Sequence, residues 1–528
     1  MSLNKIFNRK NFLNLIFELL LLILSSFVFA VSFPSFLNRW GFFPLAFIAF
    51  IPVFIVVHRA GFIKSVFYGA FFGYLSYSLF NFWLATFDPM AFVVVPVIYA
   101  SYFLILFPAL KLADRLFPRK GYILQLFIWL SYEYLRTKGF LGYSYGVLGY
   151  TQYNFLSLIG IADITGVAGV TLIVIYPSII IGNSLKEGIS RFRETWRVWI
   201  KPSVFWMALF VLFNLYGIVS RVDYSDSPTW RPALIQHNIN SWRSGIEVFE
   251  EALDKLLELS DEALAEKPDA LIWSETAFVP SINYYLRTRS DRRRVELVQK
   301  LFDFMEKTDV PLFLGNNDLF YYGDKRVNYN SVFHYENGEL KERYYKTHLV
   351  PFTEHFPYEN IFPGLYQKIL DLKVNFYGKG EEYTLFEQDG IKLAPLICFE
   401  DTFGYLSREF VRRGGDILMN LTNDSWSDEY ACNIQHMGIA VFRTIENRRT
   451  MVRSTTGGFT TVIDPNGKRI ASLEPFTEGV LIEDIPVYHE RTTLYTKFGN
   501  WLDILSIFIS FAGVALGILL TIIRKKES

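Results

Sequence analysis

The chain has 528 residues, of which 51% are hydrophobic, 18% aromatic and 20% charged. It is too long for one ordinary domain and too apolar for a disordered chain, and its two cysteines exclude a disulfide-rich scaffold. Residues 1–220 carry 17 basic and 7 acidic residues, whereas residues 221–520 carry 32 basic and 44 acidic ones. The acidic second part argues against nucleic acid as a partner, and the apolar first part indicates a membrane.

Uninterrupted apolar runs fill most of the first part and recur near the C-terminus. A helix rises about 1.5 Å per residue, so about 20 apolar residues cross a hydrocarbon core of about 30 Å. The sequence therefore predicts a multi-span α-helical membrane bundle, with seven spans in residues 1–220 and an eighth in residues 501–528. One run is short and contains Glu133, a carboxylate that hydrocarbon tolerates only when it is paired or near the interface. The eight runs are 12–31, 40–57, 65–87, 90–110, 121–135, 165–183, 203–220 and 504–523.

Basic residues in the connections predict which side of the membrane each connection faces, because short cytoplasmic loops retain Lys and Arg. Alternate connections carry seventeen basic residues on one side, against Arg39, Arg136 and Lys138 on the other. This asymmetry predicts cytoplasmic termini and an extracytoplasmic domain over residues 221–500. In an oxidising compartment, a single bridge between the two cysteines stays open as an alternative to two free thiols.

From residue 231 onward, short β-rich runs alternate with amphipathic helices, a pattern typical of an α/β sandwich. Strands are predicted at 232–237, 270–273, 311–315, 331–335, 392–397, 416–421, 450–454, 459–464 and 478–483. Helices are predicted at 246–266, 291–307, 401–413 and 432–447.

Three candidate reactive residues, Glu275, Lys346 and Cys398, stand at the ends of predicted elements, where α/β folds commonly place reactive groups. Each also has a simpler interpretation. A Glu after a strand is usually a solvated loop residue or a helix cap, and a lone Cys is usually a small buried hydrophobe.

The joint context of these residues is more specific. Ile-Trp-Ser-Glu-Thr-Ala at 272–277 is followed by Tyr-Lys-Thr-His-Leu-Val-Pro-Phe-Thr-Glu at 345–354 and by Ile-Cys-Phe-Glu-Asp at 397–401. In this order and spacing the three motifs resemble the carbon-nitrogen hydrolase (nitrilase) superfamily, which uses a Glu-Lys-Cys triad and an αββα sandwich. A nitrilase-like domain between seven spans and a last one is similar to one branch in particular, the apolipoprotein N-acyltransferases.

Three further segments support this resemblance over essentially the whole chain: Asn423–Trp426, Gly499–Trp501 and Gly149–Gln152. The sequence departs from the family pattern in the loops. Ser274 stands where Pro is usual, Thr353 where Gly is usual, Phe399 where Tyr is common, and Thr-Thr-Gly-Gly at 455–458 where Thr-Asn-Asn-Gly is usual. None of these departures removes a group that attacks carbon or transfers a proton.

The residue types fit acyl transfer. A Cys398 thiolate is both a nucleophile and a good leaving group, provided that a base such as Glu275 takes its proton. Lys346 supplies a positive charge that favours thiolate and stabilises the oxyanion of the tetrahedral intermediate. The resemblance implies supporting roles for Glu354 and Glu400, whose alternatives are a paired loop carboxylate and a helix N-terminal charge.

Four aromatic residues near the matched segments are candidate substrate contacts: Trp242, Tyr145, Phe399 and Trp426. Their alternative is core packing or anchoring at the membrane interface. His348 and His355 lack a third ligand at a sensible spacing, so no metal is expected, and the family needs no cofactor.

The resemblance implies a reaction in two steps at a bacterial inner membrane, with the catalytic domain on the periplasmic side. Cys398 takes an acyl chain from a phospholipid, and the amino group of a diacylated apolipoprotein then accepts it. Two alternatives stay open. A membrane-tethered amidase would use water as the acceptor, and a scaffold would not need Cys398.

Overall fold

The computed structural model describes residues 9–240, 242–323, 325–371 and 376–527. The first 220 residues are helical wherever they form regular structure. The helices are α1 (Arg9–Ser32), α2 (Ile51–Arg59), α3 (Phe62–Phe80), α4 (Leu84–Phe87), α5 (Pro89–Leu116), α6 (Gly121–Leu135), α7 (Leu156–Ile159), α8 (Ala162–Thr165), α9 (Val167–Leu185) and α10 (Ile189–Val219), with 3-10 turns at Phe43–Phe47 and Leu148–Gln152.

In the described part of the chain, five helices are long and apolar enough to cross a membrane: α1, α5, α9, α10 and the C-terminal α18 (Trp501–Glu527). The helix α10 leaves large apolar side chains such as Val204, Phe205 and Leu212 exposed, as expected for a surface that faces lipid. The other three predicted spans fall on the shorter or more polar segments around α2, α3 and α6. The count of eight therefore stays a prediction.

Glu133 lies on the short helix α6, and its carboxylate is buried among hydrogen-bond donors. Glu133 is 6% exposed and accepts hydrogen bonds from Trp129 Nε1 (3.2 Å), the Leu148 amide (3.0 Å) and Thr171 Oγ1 (2.9 Å). The carboxylate is therefore buried with its hydrogen bonds made, which removes most of the cost of placing it there.

The second part folds as two six-stranded sheets. Its elements are β1 (Thr229–Trp230), β2 (Pro232–Gln236), α11 (Ile246–Ala265), β3 (Ala270–Trp273), α12 (Ile282–Thr288), α13 (Arg292–Met305), β4 (Leu312–Tyr322), β5 (Lys325–Glu336), β6 (Glu339–Tyr345), α14 (Pro363–Asp371), β7 (Phe386–Gln388), β8 (Ile391–Ile397), a 3-10 turn (Cys398–Thr402), α15 (Gly404–Arg412), β9 (Ile417–Thr422), α16 (Tyr430–Asn447), β10 (Thr450–Thr455), β11 (Thr461–Ile463), β12 (Arg469–Ser472), β13 (Gly479–Ile482), β14 (Ile485–Pro486) and α17 (Leu494–Phe498).

One sheet has the strand order β13-β2-β3-β4-β5-β6 and the other β12-β11-β10-β9-β8-β7, while β1 pairs with β14. The central pairs β2–β3, β3–β4, β8–β9 and β9–β10 are parallel, and the outer pairs are antiparallel. The sheets meet face to face, and Ser454 Oγ on β10 donates to the Ile272 carbonyl on β3 (2.9 Å). Helices α11 and α13 cover one outer face, and α15 and α16 cover the other, so the predicted αββα sandwich is confirmed.

The helix α16 lies between its sheet and the membrane part, and all of its residues after Tyr430 are buried. On the membrane side, Gln435 accepts from Trp83 Nε1 (3.1 Å) and donates to the Pro34 carbonyl (2.8 Å). At the end of the helix, Arg448 forms a buried ion pair with Asp163 of α8 (2.8 Å). These contacts fix the α/β sandwich against the helical bundle.

Candidate active site

Each of the three motif residues closely follows a strand. Glu275 follows β3, Lys346 follows β6, and Cys398 follows β8. Because parallel strands end at the same edge of a sheet, β8 and β9 also bring Cys398 close to the loop that begins at Asn423. The two sheets face each other, so both sets of ends meet in one site.

Glu275 is held by two donors from other elements. Its Oε1 accepts from Asn330 Nδ2 on β5 (2.8 Å), and its Oε2 accepts from the Asn423 amide after β9 (3.0 Å). On β4, a Cβ added to Gly315 would lie 2.4 Å from the Ser274 carbonyl oxygen and 2.7 Å from the Glu275 Cα. Glycine is therefore needed at 315 for β4 to pass behind the carboxylate.

Lys346 lies between two carboxylates and is 1% exposed. Its ammonium nitrogen is 2.8 Å from Glu354 Oε1 and 3.4 Å from Glu275 Oε1. Glu354 Oε2 accepts from the Val350 amide (2.8 Å), so the loop itself orients this carboxylate. Burial opposes the charge, but the two carboxylates raise the pKa of Lys346 well above its ordinary value, which keeps the lysine cationic.

Cys398 begins a 3-10 turn with a positive backbone φ of 50°, an unusual conformation for a residue with a side chain. Burial and the Glu275 carboxylate raise the pKa of the thiol well above its ordinary value, whereas Lys346 acts in the opposite direction. The resting side chain is therefore a thiol that needs a base. Cys398 and Cys432 are both free thiols, so the bridge between them is not formed.

Glu400 connects the lysine loop to the cysteine turn. Its carboxylate accepts from the amides of Thr347 (2.7 Å), His348 (3.0 Å) and Ile397 (2.8 Å), and from the Tyr344 hydroxyl (2.9 Å). Burial raises its pKa even though these backbone donors favour the charged form. Glu400 therefore links the segment that follows Lys346 to the turn that begins at Cys398, and its bond from the Ile397 amide also caps that 3-10 turn.

The four candidate aromatic contacts form two pairs. Tyr145 and Phe399 are stacked, with ring centroids 6.4 Å apart, and Phe399 directly follows Cys398 in the chain. Trp242 and Trp426 are 53% and 37% exposed, with centroids 5.2 Å apart, and Trp242 Nε1 donates to the Trp426 carbonyl (3.1 Å). The second pair also contacts the membrane part, since the ring centroids of Phe87 and Trp242 are 6.2 Å apart.

Two departures from the family pattern contact each other. The hydroxyl oxygens of Ser274 and Thr456 are 2.8 Å apart, where the family usually has Pro and Asn. The pair joins the end of β3 to the end of β10, one from each sheet.

Several residues that shape the site were not predicted. Asn330 on β5 and Gly315 on β4 contact the Glu275 segment although they are distant from it in the chain. In the sequence, each is marked only as a polar or small residue beside an apolar run. A further buried network joins Asp401 and Asp424 to His436 on α16 and Arg453 on β10. Asp401 and Asp424 lie within matched segments, but no sequence signal connects them to the histidine.

Two family models match the two parts of the chain. Residues 25–180 match the model for the apolipoprotein N-acyltransferase N-terminal domain, and residues 231–493 match carbon-nitrogen hydrolase. An amidase from Nesterenkonia, a nitrilase superfamily structure, aligns at 19% identity over 49% of this chain and 92% of its own, with a TM-score of 0.36.

Two curated relatives align over almost their full length. Apolipoprotein N-acyltransferase 1 of Treponema denticola is 36% identical over 98% of this chain and 99% of its own. Apolipoprotein N-acyltransferase 1 of Treponema pallidum is 36% identical over 94% of this chain and 95% of its own. This chain belongs to the apolipoprotein N-acyltransferase family.

Proposed function

We propose that this chain transfers an acyl chain from a phospholipid, through a Cys398 thioester, to the α-amino group of the N-terminal S-diacylglyceryl-cysteine of an apolipoprotein. The observation that carries the proposal is the arrangement of Glu275, Lys346 and Glu354 around one another beside the half-buried Cys398 thiol. The names of the relatives support a lipoprotein acceptor. Apolar exposed helices such as α10 support a donor taken from the membrane.

In the first half-reaction Glu275 removes the thiol proton as Cys398 Sγ attacks the ester carbonyl of the phospholipid. The new C–S bond pushes an electron pair onto the carbonyl oxygen, and the Lys346 ammonium stabilises this oxyanion. When the carbonyl re-forms, the C–O bond to the glycerol breaks. Glu275 returns its proton to the departing alkoxide, which leaves as a lysophospholipid.

In the second half-reaction the neutral α-amine of the acceptor attacks the thioester carbonyl. Glu275 takes a proton from the attacking nitrogen, and collapse of the intermediate breaks the C–S bond. The thiolate then recovers the proton from Glu275, which leaves an amide product and the starting enzyme. Water must be kept from the thioester, and the Tyr145–Phe399 pair and the Trp242–Trp426 pair are suited to line the lipid side of the site.

Mass spectrometry of the intact protein tests this proposal. Enzyme purified from membranes is incubated with phospholipid beside Cys398→Ser, Cys398→Ala and Cys432→Ala. The wild type and Cys432→Ala should gain an acyl-sized mass that maps to Cys398, that hydroxylamine removes, and that a diacylglyceryl-cysteine peptide discharges as its N-acyl product.

Two results would contradict the proposal. An adduct that also forms on Cys398→Ala would place the acyl group elsewhere. Turnover of simple amides to free acid, without any adduct from phospholipid, would instead indicate a membrane-tethered amidase.

We further propose the topology that the loop charges indicate. Residues 1–220 form a membrane domain of seven spans, residues 221–500 form the extracytoplasmic catalytic domain, and residues 501–528 return the chain to the cytoplasm. The seventeen-to-three division of basic residues supports this arrangement.

Single cysteines at exposed positions test the topology in a background without Cys398 and Cys432. The side chains of Lys64 and Glu258 are 57% and 60% exposed. With a membrane-impermeant maleimide, Glu258→Cys should react in intact spheroplasts and Lys64→Cys only after permeabilisation. The reverse pattern would overturn the orientation.

A further inference from the structure

His436 is a buried histidine that the reaction described above does not use. It lies on α16, is 2% exposed, and each ring nitrogen faces a carboxylate. Nε2 is 2.7 Å from Asp401 Oδ1, and Nδ1 is 2.8 Å from Asp424 Oδ1. Ionised carboxylates only accept hydrogen bonds, so both nitrogens must carry protons and the ring is an imidazolium.

The two carboxylates belong to the two halves of the site. Asp401 is in the 3-10 turn that begins at Cys398, whereas Asp424 is next to Asn423, whose amide donates to Glu275 Oε2 (3.0 Å). The imidazolium therefore joins the turn of the nucleophile to the loop that holds the base. A shift of either loop would change the distance between the thiol and the carboxylate that removes its proton.

Arg453 on β10 completes the network. Its Nε donates to Asp401 Oδ2 (3.0 Å), and its Nη2 is 3.7 Å from Asp424 Oδ2. Two cations thus balance two carboxylates in a cluster whose members are at most 7% exposed. Loss of the imidazolium charge would leave a buried carboxylate without its donor, which is costly in a dry site.

We propose that His436 is a positioning residue that, by bridging Asp401 and Asp424, fixes the turn of Cys398 against the loop that orients Glu275 and so sets the rate of Cys398 acylation. The inference rests on the proposed function. It concerns residues that touch neither substrate nor the reacting atoms.

The charge of His436 gives the proposal a distinctive pH dependence. Although burial opposes the charge, Asp401 and Asp424 raise the pKa of His436 to about 9, and Arg453 opposes them. Other titratable groups near the network include Tyr145 of the membrane part, with a ring 6.0 Å from the imidazole, Cys432 on the same helix, and Cys398, whose thiol interacts electrostatically with Asp424. Lys346 and Cys398 have pKa values raised well above 10.5 and 9 respectively, so a loss of acylation centred near pH 9 reports on His436.

The test is single-turnover formation of the acyl-enzyme by the full-length protein with phospholipid, followed between pH 6 and 10. His436→Gln should lower the rate at pH 7 by about 10- to 100-fold, because a displacement of about 1 Å can cost this much, with little change in the phospholipid KM. The wild-type rate should fall near pH 9, and the variant should lack this decline.

His334→Gln is the matched control. His334 is also buried and contacts a carboxylate, Glu342 (2.5 Å), but it lies on β5 away from the reacting groups. The His334→Gln variant should form the acyl-enzyme at the wild-type rate. If His436→Gln fails to fold, the charge of His436 is measured instead by NMR titration of the wild-type protein with labelled histidine. The expected result is a charged His436 ring at pH 7.

The outcomes separate the inference from the proposed function. A wild-type rate and an unchanged alkaline decline in His436→Gln, or a neutral His436 at pH 7, would overturn the positioning role. A wild-type enzyme that forms no acyl adduct from phospholipid would overturn the proposed function instead.

Discussion

A hydrogen bond of 2.8 Å joins the Lys346 ammonium to Glu354 Oε1, and both side chains are largely buried. The contact from Lys346 to Glu275 is longer, at 3.4 Å. Because Glu354 takes the closer position, the lysine charge is directed mainly away from the carboxylate that must accept a proton. The ammonium therefore has Glu354 as its closer partner and remains near Glu275, where a positive charge can stabilise an oxyanion.

We expect Glu354→Gln to lower the rate of Cys398 acylation by about 10- to 100-fold with little change in the phospholipid KM. The amide carries no negative charge, so Lys346 loses its closer ion-pair partner and its ammonium is no longer held in the position that can stabilise an oxyanion. Single-turnover mass spectrometry measures the rate. The exposed carboxylate of Glu382 supplies the control, since Glu382→Gln changes the same charge outside the cluster. Equal rates in both variants would contradict the role of Glu354.

Glu275→Gln should change two rates at Cys398 in opposite directions: alkylation of the thiol should become faster, whereas acyl transfer should be lost. Removal of the negative charge lowers the thiol pKa, so iodoacetamide should alkylate Cys398 faster at pH 8 in a Cys432→Ala background. Acyl transfer should nevertheless be lost, because the base is gone. Lys346→Met should slow alkylation, since it removes the cation that lowers the thiol pKa. Slower alkylation in Glu275→Gln would show that the carboxylate already holds the thiol proton at rest.

Buried apolar runs made the central strands predictable. The strand predicted at 270–273 is β3 as observed, and the strand predicted at 392–397 differs from β8 by one residue. The β4–β5 hairpin is much longer than the predicted runs 311–315 and 331–335, because its polar residues pair across the ladder beyond the core. Polar residues in a strand carry no periodic apolar signal, so the extension is invisible in the sequence.

The positions of the three candidate residues at strand ends were predictable from their motifs, but the contacts that hold them were not. Glu275 depends on a backbone amide at 423, and the Cys398 turn depends on His436 through Asp401. Both partners are distant in the chain and reach the site only through the packing of the two sheets and α16. A single sequence specifies such contacts without marking them.

Gly315→Ala should impair the enzyme through the backbone of Glu275. The added Cβ would lie 2.4 Å from both the Ser274 carbonyl oxygen and the Thr276 amide nitrogen, so β4 or the catalytic loop must shift. We expect a loss of stability of about 1–3 kcal/mol and a slower acylation step. Gly364→Ala is the control, because no atom lies within 4 Å of its added Cβ. Thermal unfolding followed by tryptophan fluorescence, together with acyl-enzyme formation, measures both effects.

The pH dependence of stability should report the charge of His436 independently of catalysis. Its pKa is raised from 6.5 to about 9 in the folded protein, so the folded state holds a proton that the unfolded chain releases between these values. The stabilisation is fully present below pH 6.5, declines as pH rises, and is lost above pH 9. It amounts to about 3 kcal/mol at most.

The thermal midpoint of the wild type should therefore exceed that of His436→Gln most clearly at pH 6, with the difference shrinking toward pH 9.5. Gly364→Ala alters no titratable group, so its difference from the wild type should not change with pH. A wild-type advantage over His436→Gln that stayed constant from pH 6 to 9.5 would mean that the ring is held by packing alone. In that case the two aspartates would be separated by the shape of the histidine and not by its charge.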